Sequence, residues 1–275
     1  MKLLSLIILL VLPMNQMPLV AADNQLSGSR AAAMANASVA LFDFWAISHN
    51  QAGIAGIEAF TAGMYTGNRF SQTEMPEASF AAILPAGSGN LGFSLQHFGG
   101  SLYAEQKAGL TYARFFGNKL SAGIQLNYML TSISEGYGRA AAFTAEIGFI
   151  YEIAPGLFLG THLFNPTKSI LKTETHHPVE EYISSVIRSG LVYQIGSKVL
   201  LSAEVEKDIR HAAIPKIGLE YNFIESIVVR AGISNNPMLN AFGFGFTKGS
   251  MQLDISASHH YLLGYSKQAG IIYSF

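Results

Sequence analysis

The chain has 275 residues, no cysteine and a formal net charge of −1, and 13% of its residues are charged. Because acidic and basic residues balance, the sequence lacks the basic surface that nucleic-acid binding requires, and nucleic acid is excluded as a partner. The absence of cysteine excludes disulfide bridges, a thiolate nucleophile and thiolate-ligated zinc. The charged fraction is about half the usual share, which predicts that water solvates little of the surface.

The first 22 residues have the order of a secretory signal peptide. Lys2 precedes ten apolar residues, Leu3 to Leu12, and a stretch of small residues ends at Ala22. This order predicts export and cleavage after Ala22, because the apolar run is too short to span a bilayer as a retained helix. No later stretch approaches the roughly 18 consecutive apolar residues of a transmembrane helix.

From about residue 57 onward, apolar residues alternate with small or polar ones in segments of nine to thirteen residues. In one segment, for example, Phe242, Phe244 and Phe246 alternate with Gly243 and Gly245. A period of two predicts strands whose two faces differ. Fourteen such segments begin near residues 60, 77, 89, 104, 119, 140, 156, 186, 198, 214, 226, 238, 250 and 264.

The composition of the two faces indicates what surrounds these strands. One face is apolar, and the other carries mainly Gly, Ser, Thr, Asn and Gln instead of the Lys and Glu that a soluble sandwich turns to water. Alternation over about ten residues is typical of a lipid-facing barrel, and closing the sheet pairs every backbone group. Aromatic residues recur at strand ends, as an interfacial girdle requires: Tyr128, Tyr151, Phe223, Phe246 and Tyr273. The sequence therefore predicts an all-β fold, a closed antiparallel transmembrane β-barrel of about 14 strands over residues 57–275.

The lengths of the connections test this prediction independently. If the first strand runs outward, the six inner connections are the short segments "PAGSGN", "FFGNK", "IAPG", "IGSK", "FIES" and "TKGS". Most outer connections are longer, and the longest covers residues 165–185. Short periplasmic turns and longer outside loops are typical of bacterial outer-membrane barrels. The sequence thus predicts a Gram-negative outer-membrane protein, exported by its signal peptide and surrounded by outer-membrane lipid.

The final segment, "KQAGIIYSF", continues the alternation to the last residue. Its apolar row, Phe275, Tyr273 and Ile271, is predicted to face lipid. A terminal aromatic residue with alternating apolar residues before it resembles the sorting signal read by the barrel assembly machinery, which this resemblance implies as a partner. Lys267 continues the same row, so we expect it at the far membrane interface; in mid-bilayer it would cost about 2–4 kcal/mol.

Residues 23–56 lack the period of two and are rich in alanine and other small residues. They are too apolar for a disordered tail. A fourteen-stranded barrel falls just below the size that leaves an open aqueous channel, so its lumen needs filling or gating. We therefore predict that residues 23–56 form a hatch inside the barrel.

The segment "SRAAAMANASVALFDFWAISHNQAGIAG" resembles the N-terminal hatch of the FadL-type long-chain fatty acid transporters. It resembles at least as much that of their relatives, the PorV/PorQ-like barrels linked to type IX secretion. The chain differs from the family pattern at Ala35 and Asn36, where two glycines are expected, and at Gln51, where proline is usual. It matches the pattern at Gly28, Arg30, Ala31, Ala33, Met34, Ala37, Val39, Ala40, Asp43, Asn50, Ala52, Gly53 and Ile54.

The resemblance implies a fourteen-stranded barrel with a plugged lumen. By their positions in the matched hatch, five residues are candidates for contact with a hydrophobic ligand: Phe42, Phe44, Trp45, Asn50 and Gln51. For the three aromatic residues, packing of the plug against the barrel wall is the favoured alternative.

Charged residues also occur on the inward face. They either line a polar route and bind a ligand headgroup or form a structural network inside the lumen. The network is the favoured interpretation, since buried charges need partners and both signs are present in similar number. The residues are Glu146, Arg188, Glu204, Glu206, Lys216, Glu220, Arg230 and Asp254.

No motif in the sequence predicts an enzyme, a cofactor or a metal. There is no G-x-S-x-G, no P-loop and no H-E-x-x-H. His176 and His177 lie near Glu174, Glu180 and Glu181 in the longest outer loop, but their spacing matches no defined metal site. His259 and His260 fit the ordinary polarity of another outer loop.

These observations lead to three functional hypotheses. The first is passive transport of hydrophobic small molecules through the plugged lumen. The second is an accessory or shuttle barrel of a type IX-like secretion system, which contacts other proteins and which the long loop at 165–185 fits slightly better. The third is a structural barrel with neither activity.

Overall fold

The computed structural model describes residues 25–71, 75–134, 138–173 and 180–275. The predicted signal peptide, residues 1–22, lies outside these ranges, as do His176 and His177. Among the described residues, no helix is long and apolar enough to cross a membrane.

Fourteen antiparallel strands form the barrel, and a short hairpin adds two more strands. The strands are β1 (Thr61–Asn68), β2 (Pro76–Ala86), β3 (Gly89–Gly99), β4 (Tyr103–Phe116), β5 (Leu120–Ile133), β6 (Gly138–Ala154), β7 (Leu157–Phe164), β8 (Ile170–Thr173), β9 (Glu180–Tyr182), β10 (Val186–Ile195), β11 (Val199–Asp208), β12 (Ile214–Ile224), β13 (Ile227–Ser234), β14 (Leu239–Lys248), β15 (Met251–His260) and β16 (Gly264–Ser274). The helices are α1 (Ser29–Ala33), α2 (Ala46–His49) and two 3-10 helices, η1 (Gln51–Gly56) and η2 (Arg69–Ser71).

The sheet closes on itself, which confirms the predicted fold class and strand number. Each barrel strand pairs with the next one along the chain, and β7 pairs directly with β10. The first and last strands complete the ring, from Thr61 opposite Ser274 to Asn68 opposite Lys267. Every barrel strand begins within two residues of its predicted start.

Side chains alternate across the wall. In β5, Ile124 and Leu126 are 55% and 66% exposed on the outside, whereas Gln125 and Asn127 between them are buried. In β16, the outward row reaches Phe275, which is 72% exposed. Soluble proteins rarely expose apolar patches larger than a few hundred Å², so this continuous outer belt requires a hydrocarbon environment.

The two ends of the barrel differ as the connection lengths predicted. At the turn end, six connections have two or three residues each, and both β1 and β16 have their free ends there. At the loop end, the longest connection joins β7 to β10 and contains the hairpin β8–β9. The sequence had indicated only a loop at this place.

The loop at 165–185 folds onto the barrel instead of projecting away from it. Strand β8 pairs with the loop end of β6 through Ala140 and Ala141. Leu171 and Ile183 are buried in an apolar cluster with Phe164 and other barrel residues. The side chains of Leu171 and Ile183 are therefore occupied inside the molecule.

The segment that precedes β1 fills the lumen. Its three helices have five, four and six residues, and most of its side chains from Gln25 to Ile54 are buried. A core cluster joins Phe44, Trp45 and Ile47 of this segment to inward residues of the wall, among them Tyr65 and Ile83. We refer to residues 25–60 as the hatch.

Candidate functional site

The hatch turns sharply at the two positions where the sequence departs from the expected glycine pair. Ala35 and Asn36 both have positive φ, 54° and 59°. The backbone N–H of Asn36 donates to the carbonyl of Ala31 at 2.8 Å and closes the turn. Asparagine tolerates this left-handed conformation, whereas alanine adopts it at a cost of about 1–2 kcal/mol. The tight turn therefore forms here without glycine.

A buried carboxylate of the wall binds the backbone just after this turn. The backbone N–H groups of Ser38 and Val39 both donate to Glu204 at 2.8 Å. Lys216 donates to the other oxygen of Glu204 at 3.1 Å. The carboxylate of Glu204 thus accepts hydrogen bonds from two backbone N–H groups of the hatch, and Lys216 compensates its negative charge.

A second carboxylate binds the hatch through Arg30. Two nitrogens of its guanidinium donate to the two oxygens of Glu220, each at 2.8 Å. Burial on its own lowers the pKa of Arg30, but Glu220 and Asp43 outweigh burial and raise this pKa, so the guanidinium stays charged. Arg230 then links Glu220 at 2.6 Å to Asp254 at 2.5 Å. This chain of charges joins α1 to β12, β13 and β15.

A third carboxylate, Glu146 of β6, is fully buried and accepts five hydrogen bonds. From the hatch, Gln51 donates to it at 2.8 Å. From the wall, His162 contacts it at 2.9 Å and Lys107 at 3.3 Å. Gln125 and Asn127 supply the remaining two bonds, at 3.2 and 2.9 Å. The charge of Glu146 is thus compensated entirely inside the molecule.

Asn50 holds the hatch backbone against the wall. Its side-chain N–H groups donate to the carbonyls of Val39 at 2.6 Å and Phe149 at 3.1 Å. The wall residue facing it is Gly148, and a Cβ there would overlap the side-chain oxygen of Asn50. Glycine on the inward face of β6 therefore permits the close approach of the hatch.

His49 is buried in the middle of the hatch and is neutral. Burial, with the nearby positive charge of Arg188, lowers the pKa of His49 to about 3. Its Nε2 therefore donates to the carbonyl of Ser27 at 2.6 Å, and its Nδ1 accepts from the hydroxyl of Ser38 at 3.1 Å. The ring ties the start of the hatch to the segment after the turn.

The aromatic residues of the hatch form two separate contacts with the wall. Trp45 packs edge-on against Phe44 at 5.1 Å and against Tyr65 of β1 at 5.9 Å between ring centroids. Phe42 lies elsewhere and contacts Phe115 at 5.8 Å and Phe158 at 5.5 Å. These distances fit the packing that stabilises aromatic pairs.

The inward charges predicted from the sequence lie inside the lumen, and seven of the eight are buried; Glu206 is half-buried. Arg188 binds Glu206 at 2.9 Å, and Lys216 binds the same carboxylate at 2.8 Å. Lys107 and His162 also occupy inward positions of their strands, but they were not among the predicted inward charges. Their signal was available, since each alternates with outward residues in a period of two.

A cavity of about 230 Å³ lies between the hatch and the loop end of the barrel. We call it the vestibule. Hatch residues Leu26 and Asn36 line it, together with charged and apolar residues of the wall: Tyr65, Arg69, Phe70, Glu77, Glu206, Ile214, Lys216, Pro237, Leu239 and Gln268.

None of the five predicted ligand residues lines the vestibule. Asn50 and Gln51 hold the hatch to the wall, and Phe42 lies in a different aromatic contact. Trp45 packs against Tyr65, which lines the vestibule and belongs to the same apolar cluster as Trp45. Ligand contact by the five residues stays a prediction.

The histidines weighed as possible metal ligands fall in two loops. His176 and His177 lie outside the described residues, as does the position of Glu174. His260 is the last residue of β15, and its ring accepts hydrogen bonds from the backbone of Leu262 and Leu263 at 3.1 Å. Within the described ranges, no group of three or more His, Cys, Asp or Glu is arranged to hold a metal ion.

Comparison with solved structures identifies barrels of the same architecture. The toluene transporter TodX from P. putida superposes with a TM-score of 0.70 at 12% identity, covering 92% of this chain and 99% of its own. This chain therefore has the same fold as the toluene transporter. The toluene transporter TbuX from Ralstonia pickettii gives 0.67 at 12% identity, covering 90% and 98%. A FadL homologue from Pseudomonas aeruginosa gives 0.61 at 12% identity, covering 90% and 97%.

These identities are low, and the likeness is one of fold. No family model matches the sequence, and no curated protein matches it either. The structural relatives are FadL-family channels, in agreement with the resemblance of the hatch segment.

Proposed function

We propose that this protein is an outer-membrane barrel for passive transport of small hydrophobic molecules, which enter at the loop end and pass when the hatch shifts. The observation that carries the proposal is the junction at Tyr65. This residue lines the vestibule and packs in the apolar cluster that contains Trp45, Phe44 and Ile54. A molecule in the vestibule therefore has an apolar region of the plug directly beside it.

The size of the vestibule favours a compact ligand. Its 230 Å³ lies below the range of about 300–1,000 Å³ that is usual for drug-sized ligands. A molecule of one or two rings fits this space better than an extended acyl chain does. Two of the solved structures with this fold are toluene transporters, which supports the same class of ligand.

Outer-membrane localisation is part of this proposal. The outer belt requires hydrocarbon around it, and barrels of this fold include outer-membrane channels. With the turn end in the periplasm, the vestibule faces the outside. The predicted signal peptide supplies the route of export.

A hatch lock tests the transport route. A Cβ built at Gly270 of β16 lies 3.5 Å from the hydroxyl of Ser29 in α1, so Ser29→Cys with Gly270→Cys places two thiols within disulfide reach. The chain has no other cysteine. We expect the oxidised variant to lose uptake of labelled toluene by whole cells and to regain it on reduction. Whole cells are needed because toluene crosses a plain phospholipid bilayer unaided.

The matched control is a disulfide within the wall. Thr61 and Ser274 face each other across β1 and β16 with their hydroxyls 3.2 Å apart. Thr61→Cys with Ser274→Cys should leave uptake unchanged in both redox states. Equal uptake by the oxidised hatch lock and its reduced form would show that the hatch does not shift, and absence of uptake by the parent protein would refute transport.

The accessory role in type IX-like secretion, which the resemblance of the hatch segment to PorV/PorQ-like barrels implies, remains the second hypothesis. The loop at 165–185, which had favoured it, uses Leu171 and Ile183 inside the molecule. That packing leaves these side chains unavailable to a partner and favours transport. Secretion would become the favoured hypothesis if a secretion component were captured from cells by pull-down and the protein showed no uptake.

A further inference from the structure

The outer wall carries a groove of about 950 Å³ on the side formed by β15, β16 and β1–β5. This volume lies at the upper end of the roughly 300–1,000 Å³ of sites that accommodate a small molecule. The ladders between β16, β1, β2 and β3 run without a register shift. The sheet behind the groove is therefore continuous in hydrogen bonding.

The groove exists because small outward residues lie side by side. Ala269 pairs with Thr66, and Thr66 pairs with Ala78 on the next strand. One row nearer the turn end, the same strands carry Ile271, Met64 and Phe80. A row of small side chains beside a row of large ones indents the surface. Further large residues border the groove on both sides: Leu95, Tyr128, Leu130, Leu253 and Ile255.

The rim of the groove at the loop end is polar. Lys267 is directly opposite Asn68, one row from Ala269 and Thr66. Lys267 is exposed, and in the described part of the chain its ammonium has no hydrogen-bond or ion-pair partner. A cation without a counter-charge among the described residues thus lies where the apolar floor ends.

We propose that this groove binds one membrane lipid with a negatively charged phosphate headgroup. Its acyl chains lie over Ala269, Thr66 and Ala78, and its phosphate lies at Lys267. The acyl chains fill an indentation that flat packing of bulk lipid would leave loosely contacted. A headgroup with a net negative charge supplies the counter-charge that Lys267 lacks, which distinguishes it from a zwitterionic headgroup.

This site does not depend on the transport proposal. The lipid stays on the outer wall, and no step of transport passes through the groove. Loss of lipid binding and loss of uptake are measured separately, so each proposal can fail alone.

Native mass spectrometry of the purified full-length protein in mild detergent tests the site. The probes are phosphatidylglycerol and phosphatidylcholine with identical acyl chains. We expect one phosphatidylglycerol to be retained per barrel, in preference to phosphatidylcholine. Lys267→Gln should lower that preference about fivefold, which is the contribution of one basic side chain near an anionic lipid surface.

Filling the floor tests the shape of the site. Ala78→Leu with Ala269→Leu should abolish stoichiometric retention of either lipid. The matched control is Ala203→Leu with Ala231→Leu, which enlarges two exposed outward alanines on β11 and β13 away from the groove. For the charge, the control is Lys207→Gln, an exposed lysine at the loop end of β11. Both controls should retain the lipid as the parent protein does.

Three results would overturn the proposal. The first is equal retention of phosphatidylglycerol and phosphatidylcholine by the parent protein. The second is a Lys267→Gln variant with unchanged preference, which decides the matter even if the double leucine variant does not fold. The third is equal loss in the floor variant and its control, since that would show only bulk lipid around the barrel.

Discussion

At the scale of single residues, Ala35 and Asn36 show how the hatch keeps a turn without its expected glycines. The turn is held by the bond from Asn36 to Ala31 and by the buried surroundings of α1. The cost falls mainly on Ala35, because alanine gains no local hydrogen bond in the left-handed region. Such strain persists only where the surrounding structure over-determines the conformation.

Ala35→Gly should therefore stabilise the protein. We expect the free energy of unfolding to rise by about 1 kcal/mol, since glycine adopts positive φ without the penalty of a Cβ. Urea unfolding in lipid vesicles measures this change.

The matched control is Ala32→Gly, which lies in α1 between two helical residues. There glycine should lower the free energy of unfolding by about 1 kcal/mol, because it has the lower helix propensity. If both substitutions destabilise the protein alike, the turn at Ala35 is not strained.

At the scale of elements, three wall carboxylates hold the hatch: Glu204, Glu220 and Glu146. Each binds a hatch group and a wall cation together, so neither the charge nor the hatch donor is left unsatisfied in the lumen. Removing a single partner from such a set is more costly than an exposed ion pair suggests, because a buried charge then loses its compensation. The hatch is thus a bound element with a few defined attachments.

Gln51→Ala tests one attachment without removing a charge. A hydrogen bond to a charged group contributes about 1.5–3 kcal/mol, so hydrogen exchange of hatch amides should become at least about tenfold faster. The strand amides should be unaffected, since Glu146 keeps its four donors from the wall.

Gln252→Ala is the comparison variant. Gln252 also donates to a buried carboxylate, Asp254, at 2.6 Å, but both residues belong to the wall. Its removal should leave exchange in the hatch as it is. Uniform acceleration over hatch and strands in either variant would mean that the hatch and barrel open as one unit.

At the scale of the whole molecule, the apolar outer face of the strands makes the barrel stable in a lipid bilayer and not in water. Leu126 lies at the middle of β5 and is 66% exposed, and Leu262 lies at the loop end and is 80% exposed. In water the two positions would be equivalent surface sites. In a bilayer they differ, because only the first is surrounded by hydrocarbon.

Leu126→Arg should lower the free energy of unfolding into lipid vesicles by about 2–4 kcal/mol, the cost of arginine at mid-bilayer. Leu262→Arg should change it by about 0–1 kcal/mol, as expected at an interface. The two variants carry the same chemical change and control each other. Similar small effects at both positions would contradict a membrane-spanning barrel.

Local patterns in the sequence were sufficient to predict the barrel. Alternation of side chains and turn length each depend on a few neighbouring residues, so the strand starts, the closed architecture and the difference between the two ends could all be predicted. Local patterns do not predict the hairpin β8–β9. Its pairing with Ala140 and Ala141 depends on where β6 extends beyond β7.

Only the tertiary structure decided which residues meet in the lumen. Gln51 and Glu146 are 95 positions apart, and Arg30 and Glu220 are 190 apart. No local period relates such pairs, because their meeting depends on the register of all the strands between them and on how the hatch enters the barrel. For the same reason, the sequence showed that the lumen carries charges, but their partners, the vestibule and the groove followed only from the closed barrel.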